Sequence, residues 1–157
     1  LTLDIVPFDL PDQPAEVWRR GDVRVLAGQV RHEPVHPAVG FRVETLDGIV
    51  AITGDTLVCD EVAALAAGAD VLVYEAMRFE RIRQRPPHLQ FILDYHADTQ
   101  RIGAQAAELG VPILVLTHLI PPPESDDDVQ AFVDDIRTAG YAGELVVAED
   151  LSQVTLG

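Results

Sequence analysis

Five residues able to bind metals or move protons fall where elements of structure should end. His32 follows the alternating run Val23 to Val30, and Asp55 follows the buried-strand pattern Ile49 to Thr53. Glu75 follows Val71-Leu72-Val73, His118 follows Ile113 to Leu116, and His96 lies just before a helical pattern. Imidazole nitrogens and carboxylate oxygens gathered from strand ends are donors that zinc, iron and manganese accept. Each residue has a plainer explanation when taken singly. Asp55 or Thr56 of Gly54-Asp55-Thr56 could cap the following helix. A histidine after a strand is more often a hydrogen-bonded loop residue than a ligand. The coincidence of all of them at element ends favours a metal site.

Other chemistries lack their residues. The chain has no Gly-x-Gly-x-x-Gly, no phosphate-loop lysine motif and no Gly-x-Ser-x-Gly elbow. Its serines, Ser125 and Ser152, stand next to no histidine. Cys59 is the single cysteine, so neither an internal disulfide nor a cysteine zinc site can form. Its neighbours Asp60 and Glu61 raise a thiol pKa, which makes it a core residue rather than a nucleophile.

The elements needed to position these residues can be placed from the pattern. The 157 residues are 48% hydrophobic and 24% charged, a globular balance with length for a real core. Residues 1 to 22 read as a short strand at Leu3 to Val6 and then an irregular segment, with Trp18 anchored on the core. Pro34 and Pro37 make Arg31 to Ala38 a loop that carries His32 and His36. Asp47-Gly48 joins Phe41 to Glu44 and Ile49 to Thr53 as an antiparallel hairpin. Helices are expected at Glu61 to Ala67, at Asp98 to Leu109, and from Asp126 on, where Val129, Phe132, Val133 and Ile136 form the buried stripe. Strands are expected at Val71 to Val73, Ile113 to Leu116, Leu145 to Ala148 and, briefly, Gln153 to Leu156. Phe79 to Asp94 is an excursion from the core layers. Arg78, Arg81, Arg83 and Arg85 make it either a substrate-facing arm for an anion or a solvated face. The fold class is therefore α/β, with antiparallel strands first and alternating strands and helices after.

The ordered set Pro37-Ala38-Val39-Gly40-Phe41-Arg42, Thr53-Gly54-Asp55-Thr56, Tyr74-Glu75-Ala76 and Leu116-Thr117-His118-Leu119 resembles the second half of the metallo-β-lactamase fold. It is most similar to the branch that holds ribonuclease Z and the bacterial arylsulfatase-like hydrolases. The resemblance implies the C-terminal half of a four-layer αββα sandwich, a mixed sheet flanked by helices, as a single or partial domain. It implies two zinc ions, with manganese or iron as alternatives. Asp55 bridges them, and His118 and His32 each ligate one; His36 competes with His32 for its place. His96 helps the transition state or the leaving group, supported by Glu75. The implied activity is hydrolysis of a phosphodiester, sulfate ester or similar small anionic ester by a metal-bound hydroxide.

The family's His-x-His-x-Asp-His signature is absent from the chain. Together with Leu1 as first residue and Met77 as sole methionine, this leads us to expect a missing N-terminal half and an inactive fragment. The competing expectation is a non-catalytic half-domain that pairs with another chain, since half a sandwich exposes an apolar sheet face; a homodimer would also cover it. Tyr74-Glu75-Ala76-Met77 and His96-Ala97-Asp98 depart from ribonuclease Z's usual His-Glu-Ala-Thr and His-Ser-Thr. These departures and the net charge of -15 count against nucleic acid as substrate without excluding it. No apolar run approaches the ~20 residues of a membrane span. The single cysteine fits a cytoplasmic protein.

Overall fold

The computed structural model describes residues 5–156. A meander opens the chain: β1 (Ala15–Arg20), β2 (Val23–Gln29), β3 (Val39–Glu44) and β4 (Ile49–Ile52), each antiparallel to the one before. Alternation follows with α1 (Asp60–Ala66), β5 (Val71–Met77), α2 (Phe79–Arg83), a 3₁₀ segment (Pro87–Asp94), α3 (Thr99–Leu109), β6 (Ile113–Ile120), α4 (Asp126–Thr138) and β7 (Glu144–Val147). Strands β4 to β7 run parallel, and the seven strands form one mixed sheet in sequence order. The expected α/β class with a mixed sheet is what the chain adopts.

Strand order decides where the helices go. Parallel crossovers are right-handed, and successive ones stepping in the same direction land on the same face. On that face, Leu72, Tyr74, Leu114 and Leu116 pack with Val62, Ile102, Ala106, Phe132 and Ile136 from α1, α3 and α4. The register row Leu26, Arg42, Ala51, Leu72, Leu114, Leu145 runs across the sheet. The adjacent row Ala27, Phe41, Ile52, Val73, Val115, Val146 alternates to the other face, as strand geometry requires. Ile52 there is 39% exposed, and Phe41, Val73 and Val146 are half-buried. The expected apolar sheet face is present and incompletely covered among the described residues.

Local signals account for the helix ends. Ser125 caps α4 by accepting from the Asp128 amide at 3.2 Å, and Asp126, Asp127 and Asp128 place negative charge at the positive end of the helix dipole. Gly110 ends α3 in the left-handed conformation, φ 65°, its amide bonded to the Ala106 and Ala107 carbonyls. The hairpin at Asp47-Gly48 forms as expected, and Asp70 Oδ2 accepts the Ile49 amide beside it at 2.8 Å.

The N-terminal expectations need correction. Ala15–Arg20 is a strand rather than an irregular segment, paired with β2 across the Gly21-Asp22 turn. It is an edge strand with almost every side chain exposed, so it lacks an apolar alternation. Trp18 is 37% exposed on the open sheet face and is no core anchor. Of the strand expected at Leu3 to Val6, Leu3 and Asp4 lie outside the described residues; Ile5 and Val6 form none. Gln153 to Leu156 also pairs with no strand.

Candidate metal centre

The loop after β4 is built to project Asp55. Thr53 continues the ladder for one bond, its amide donating to the Val73 carbonyl at 3.0 Å. Gly54 then turns the chain with φ 64°, and a Cβ there would lie 2.9 Å from the Val39 carbonyl oxygen. Only glycine fits both the backbone angle and the approach. The Asp55 carboxylate emerges 42% exposed. Neither Asp55 nor Thr56 caps α1; the N-cap is Cys59, without a side-chain cap bond. Thr56 is fully buried and ties three segments together. Its hydroxyl accepts the Arg31 amide at 3.1 Å and donates to the Leu57 carbonyl at 2.9 Å, and its own amide donates to Glu75 Oε1 at 3.1 Å.

A β-bulge presents His118. The register between β5 and β6 shifts there: Glu75 pairs with Thr117 and Ala76 with Leu119, which leaves His118 as the extra residue. Its φ is 45°, a left-handed value that a non-glycine residue holds at a cost. The bulge carries its imidazole off the regular pleat, with Nε2 3.8 Å from Asp55 Oδ2.

His96 lies in the crossover from β5 to α3. Its Nδ1 donates to Glu75 Oε1 at 2.9 Å, and the Ala97 amide donates to the same oxygen at 3.1 Å. Glu75 is 2% and His96 7% exposed, and Glu75 Oε2 is buried without a partner. The His96 ring stacks on His118 at 5.5 Å between centroids. With Nδ1 committed to Glu75, its Nε2 is the free nitrogen.

The structure brings ligand atoms of Asp55, His96 and His118 within 4.8 Å of one another. His32 is not in this trio, but its ring lies 5.0 Å from that of His96, and its Nδ1 donates to the Tyr95 carbonyl at 2.8 Å. That bond also leaves Nε2 free, the orientation a ligating histidine needs. His36 is exposed, 3.5 Å from Glu33, and outside the trio. The chemistry of the set, imidazole nitrogen plus carboxylate, fits zinc, manganese or iron. Sequence reading missed Tyr95, which links His32 to His96 through its carbonyl and its ring. An aromatic next to a candidate histidine was the one available signal.

Of the two readings of the arginine-rich excursion, the solvated face is the one its exposure favours: Arg81, Arg83 and Arg85 are exposed and Arg78 is half-buried. Arg78 donates to Asp135 at 2.9 Å and lies over the Phe132 ring. The charges of Arg81 and Arg78 help hold Asp128 below its ordinary value, after the Ser125 and Glu124 hydrogen bonds. Burial pushes the Asp98 carboxyl up, and Arg83 opposes it. Of the four arginines, Arg78 alone is in an ion pair among the described residues. Cys59 is half-buried, its thiol pushed up chiefly by burial, as a structural cysteine should be. No helix among the described residues is long and apolar enough to cross a membrane.

Comparison with known proteins agrees with this architecture. The chain is similar over 90% of its length to the metallo-β-lactamase fold protein YhfI from Bacillus subtilis, with a TM-score of 0.65 and 23% identity. It is similar over 93% to the short form of human tRNase Z, with a TM-score of 0.60 and 20% identity. Those likenesses define the fold, covering 52% and 47% of the two structures. In sequence it is 35% identical over 140 residues to a putative ribonuclease Z of Mycobacterium tuberculosis strain CDC 1551, covering 87% of this chain and 61% of that protein. It is 34% identical over 141 residues to ribonuclease Z of Mycolicibacterium gilvum, covering 88% of this chain and 48% of that one. No family model matches. The chain has the metallo-β-lactamase fold. In sequence it is similar to those ribonuclease Z proteins, and it spans about half the length of the relatives it matches. Those relatives are named for ribonuclease activity, a different substrate class from the small anionic ester expected.

Proposed function

We propose that the whole protein is a metal-dependent hydrolase of phosphodiester bonds, with RNA as its substrate class. The observation that carries this reading is the convergence of Asp55, His96 and His118 at the ends of β4, α3 and β6. Asp55, His118 and His32 are the residues that would hold the zinc ions, with Asp55 placed to serve both. When bound, such ions polarise the phosphoryl group and stabilise the charge that develops on it. The chain's own contribution is orientation. The Tyr95 carbonyl and the Glu75 carboxylate fix the rings of His32 and His96 with Nε2 free. His96, backed by Glu75, moves a proton to or from the leaving oxygen.

The rest of such a protein would cover the open sheet face and supply the remaining ligands. Residues 1 to 157 alone then bind zinc weakly and turn nothing over. A homodimer closing the same face is the competing arrangement, and it would double the solution mass of this segment.

The test is turnover of bis(p-nitrophenyl) phosphate and of an RNA with a 3′ extension by the full-length protein, with zinc counted by mass spectrometry. D55A should lose activity about 10³-fold or more, together with bound zinc, because the shared carboxylate supports both ions. Unchanged turnover by D55A sinks the site drawn here. H96A separates the two roles open to that ring. Zinc retained with a low kcat supports proton transfer, and loss of an ion moves His96 into the ligand set.

A further inference from the structure

Phe91 stands in water beside this centre, on a segment none of whose residues is buried. Its side chain is 58% exposed. The 3₁₀ segment that carries it is fixed by Gln90, whose Nε2 donates to the Arg83 and Arg85 carbonyls at 3.0 and 2.7 Å. Ile82, 5% exposed, anchors α2 just before it. The Phe91 ring centroid lies 6.0 Å from that of Tyr95. The Tyr95 ring in turn lies 4.9 Å from His96 and 5.0 Å from His32. An aromatic surface therefore runs from Phe91 through Tyr95 to His96 and His118. The Tyr95 carbonyl that accepts from His32 locks this surface in register with the candidate ligands.

Two arginines of the same excursion are engaged elsewhere. Arg78 is spent on Asp135, and Arg83 lies over Phe79, 5.5 Å from its ring centroid.

We infer that Phe91, backed by Tyr95, is a stacking shelf for the nucleobase attached to the phosphate that the metal centre binds. The inference rests on the phosphodiester reading and makes it more specific: the shelf selects nucleotides over other phosphate esters. Stacking on a π-face is tolerant of base identity, so the shelf favours a base without choosing which one. Phe91 is a specificity-determining residue here and touches no reacting atom.

Equilibrium binding to the full-length, zinc-loaded protein tests this without relying on turnover. Titration calorimetry with adenosine 5′-monophosphate and with ribose 5-phosphate isolates the base, since the two probes share the sugar phosphate. The nucleotide should bind tighter by about 5- to 150-fold, the range expected for one stacked base. F91A should remove most of that advantage and leave ribose 5-phosphate binding unchanged, and F91W should keep it. Truncation of so exposed a side chain leaves the core intact, and F91W guards against a folding defect. Three results overturn the shelf: no advantage for the nucleotide in the unmodified protein, an advantage that survives F91A, or equal weakening of both probes. Absence of phosphodiester turnover alongside a base advantage that F91A removes would sink the proposed reaction and keep the shelf.

Discussion

Glu75 is the residue whose removal should cost the fold most for its size. Its Oε1 accepts from the Thr56 amide at 3.1 Å, from His96 Nδ1 at 2.9 Å and from the Ala97 amide at 3.1 Å. Residues 56, 75, 96 and 97 are all buried. E75A leaves three donors facing a void. A buried donor without a partner costs about 1–3 kcal/mol. Three of them sum to roughly 3–9 kcal/mol, and entry of water into the space left by the carboxylate brings the figure toward the lower end. That is a large share of the ~5–15 kcal/mol that holds a domain together. E75Q behaves differently. Its amide oxygen can stand where Oε1 stands and accept all three bonds, while its NH₂ takes the place of Oε2, which already has no partner. The expected loss is about 1 kcal/mol, the size of one ordinary hydrogen bond. Urea unfolding of the full-length protein, followed by circular dichroism, measures both variants. E75A within 0.5 kcal/mol of the parent (about the size of an ordinary surface substitution) would refute the account, and so would E75Q as damaging as E75A.

Two further substitutions test the backbone devices around the site. His118 holds φ 45° in the β6 bulge, where a side chain costs about 1 kcal/mol that glycine does not. H118G should therefore be about 1 kcal/mol more stable than H118A in urea, although both lose the ligand; equal stabilities would mean that the bulge relaxes when the imidazole goes. Gly103 sits in α3 where it crosses α4, and a Cβ there would lie 2.7 Å from the Ile136 carbonyl and 2.9 Å from the Ala139 Cβ. Alanine in place of a helical glycine ordinarily gains about 1 kcal/mol, but overpacking against backbone costs about 1–3 kcal/mol. G103A should thus be neutral to destabilising by about 2 kcal/mol in thermal unfolding, and a raised Tm would show that the two helices can move apart.

Much of the site was legible because α/β sheets deliver chemistry at strand ends. Asp55 and His118 each follow a run of apolar residues too short for a helix, and those runs are β4 and the first half of β6. What remained hidden depends on contacts distant in sequence or on backbone angles. The bond from His96 to Glu75 spans 21 residues, and it exists because the loop before α3 folds back over β5. The bulge at His118 follows from the register with β5, and nothing in Leu116-Thr117-His118-Leu119 announces a positive φ. Strand β1 was missed for the opposite reason. Ala15–Arg20 pairs with one neighbour only and buries almost nothing, so its residues never needed to alternate.

The excursion between β5 and α3 shows how composition can mislead about a site. Four arginines in eight residues left a grip on an anion open beside a solvated face, since charge counts carry no direction. Helix α4 opens with Asp126, Asp127 and Asp128 and carries Asp135 further along, and Asp135 takes Arg78 in an ion pair. Arg81, Arg83 and Arg85 stand exposed in solvent, where their attraction for a phosphate is screened beyond a Debye length of about 8–10 Å. The less conspicuous residues of the segment, Phe91 and Tyr95, are the ones whose rings reach the histidines. An aromatic exposed in water is unremarkable when it stands alone. Phe91 gains meaning because a buried chain of contacts, from Glu75 through His96 to Tyr95, fixes its distance from the same centre that Asp55 completes.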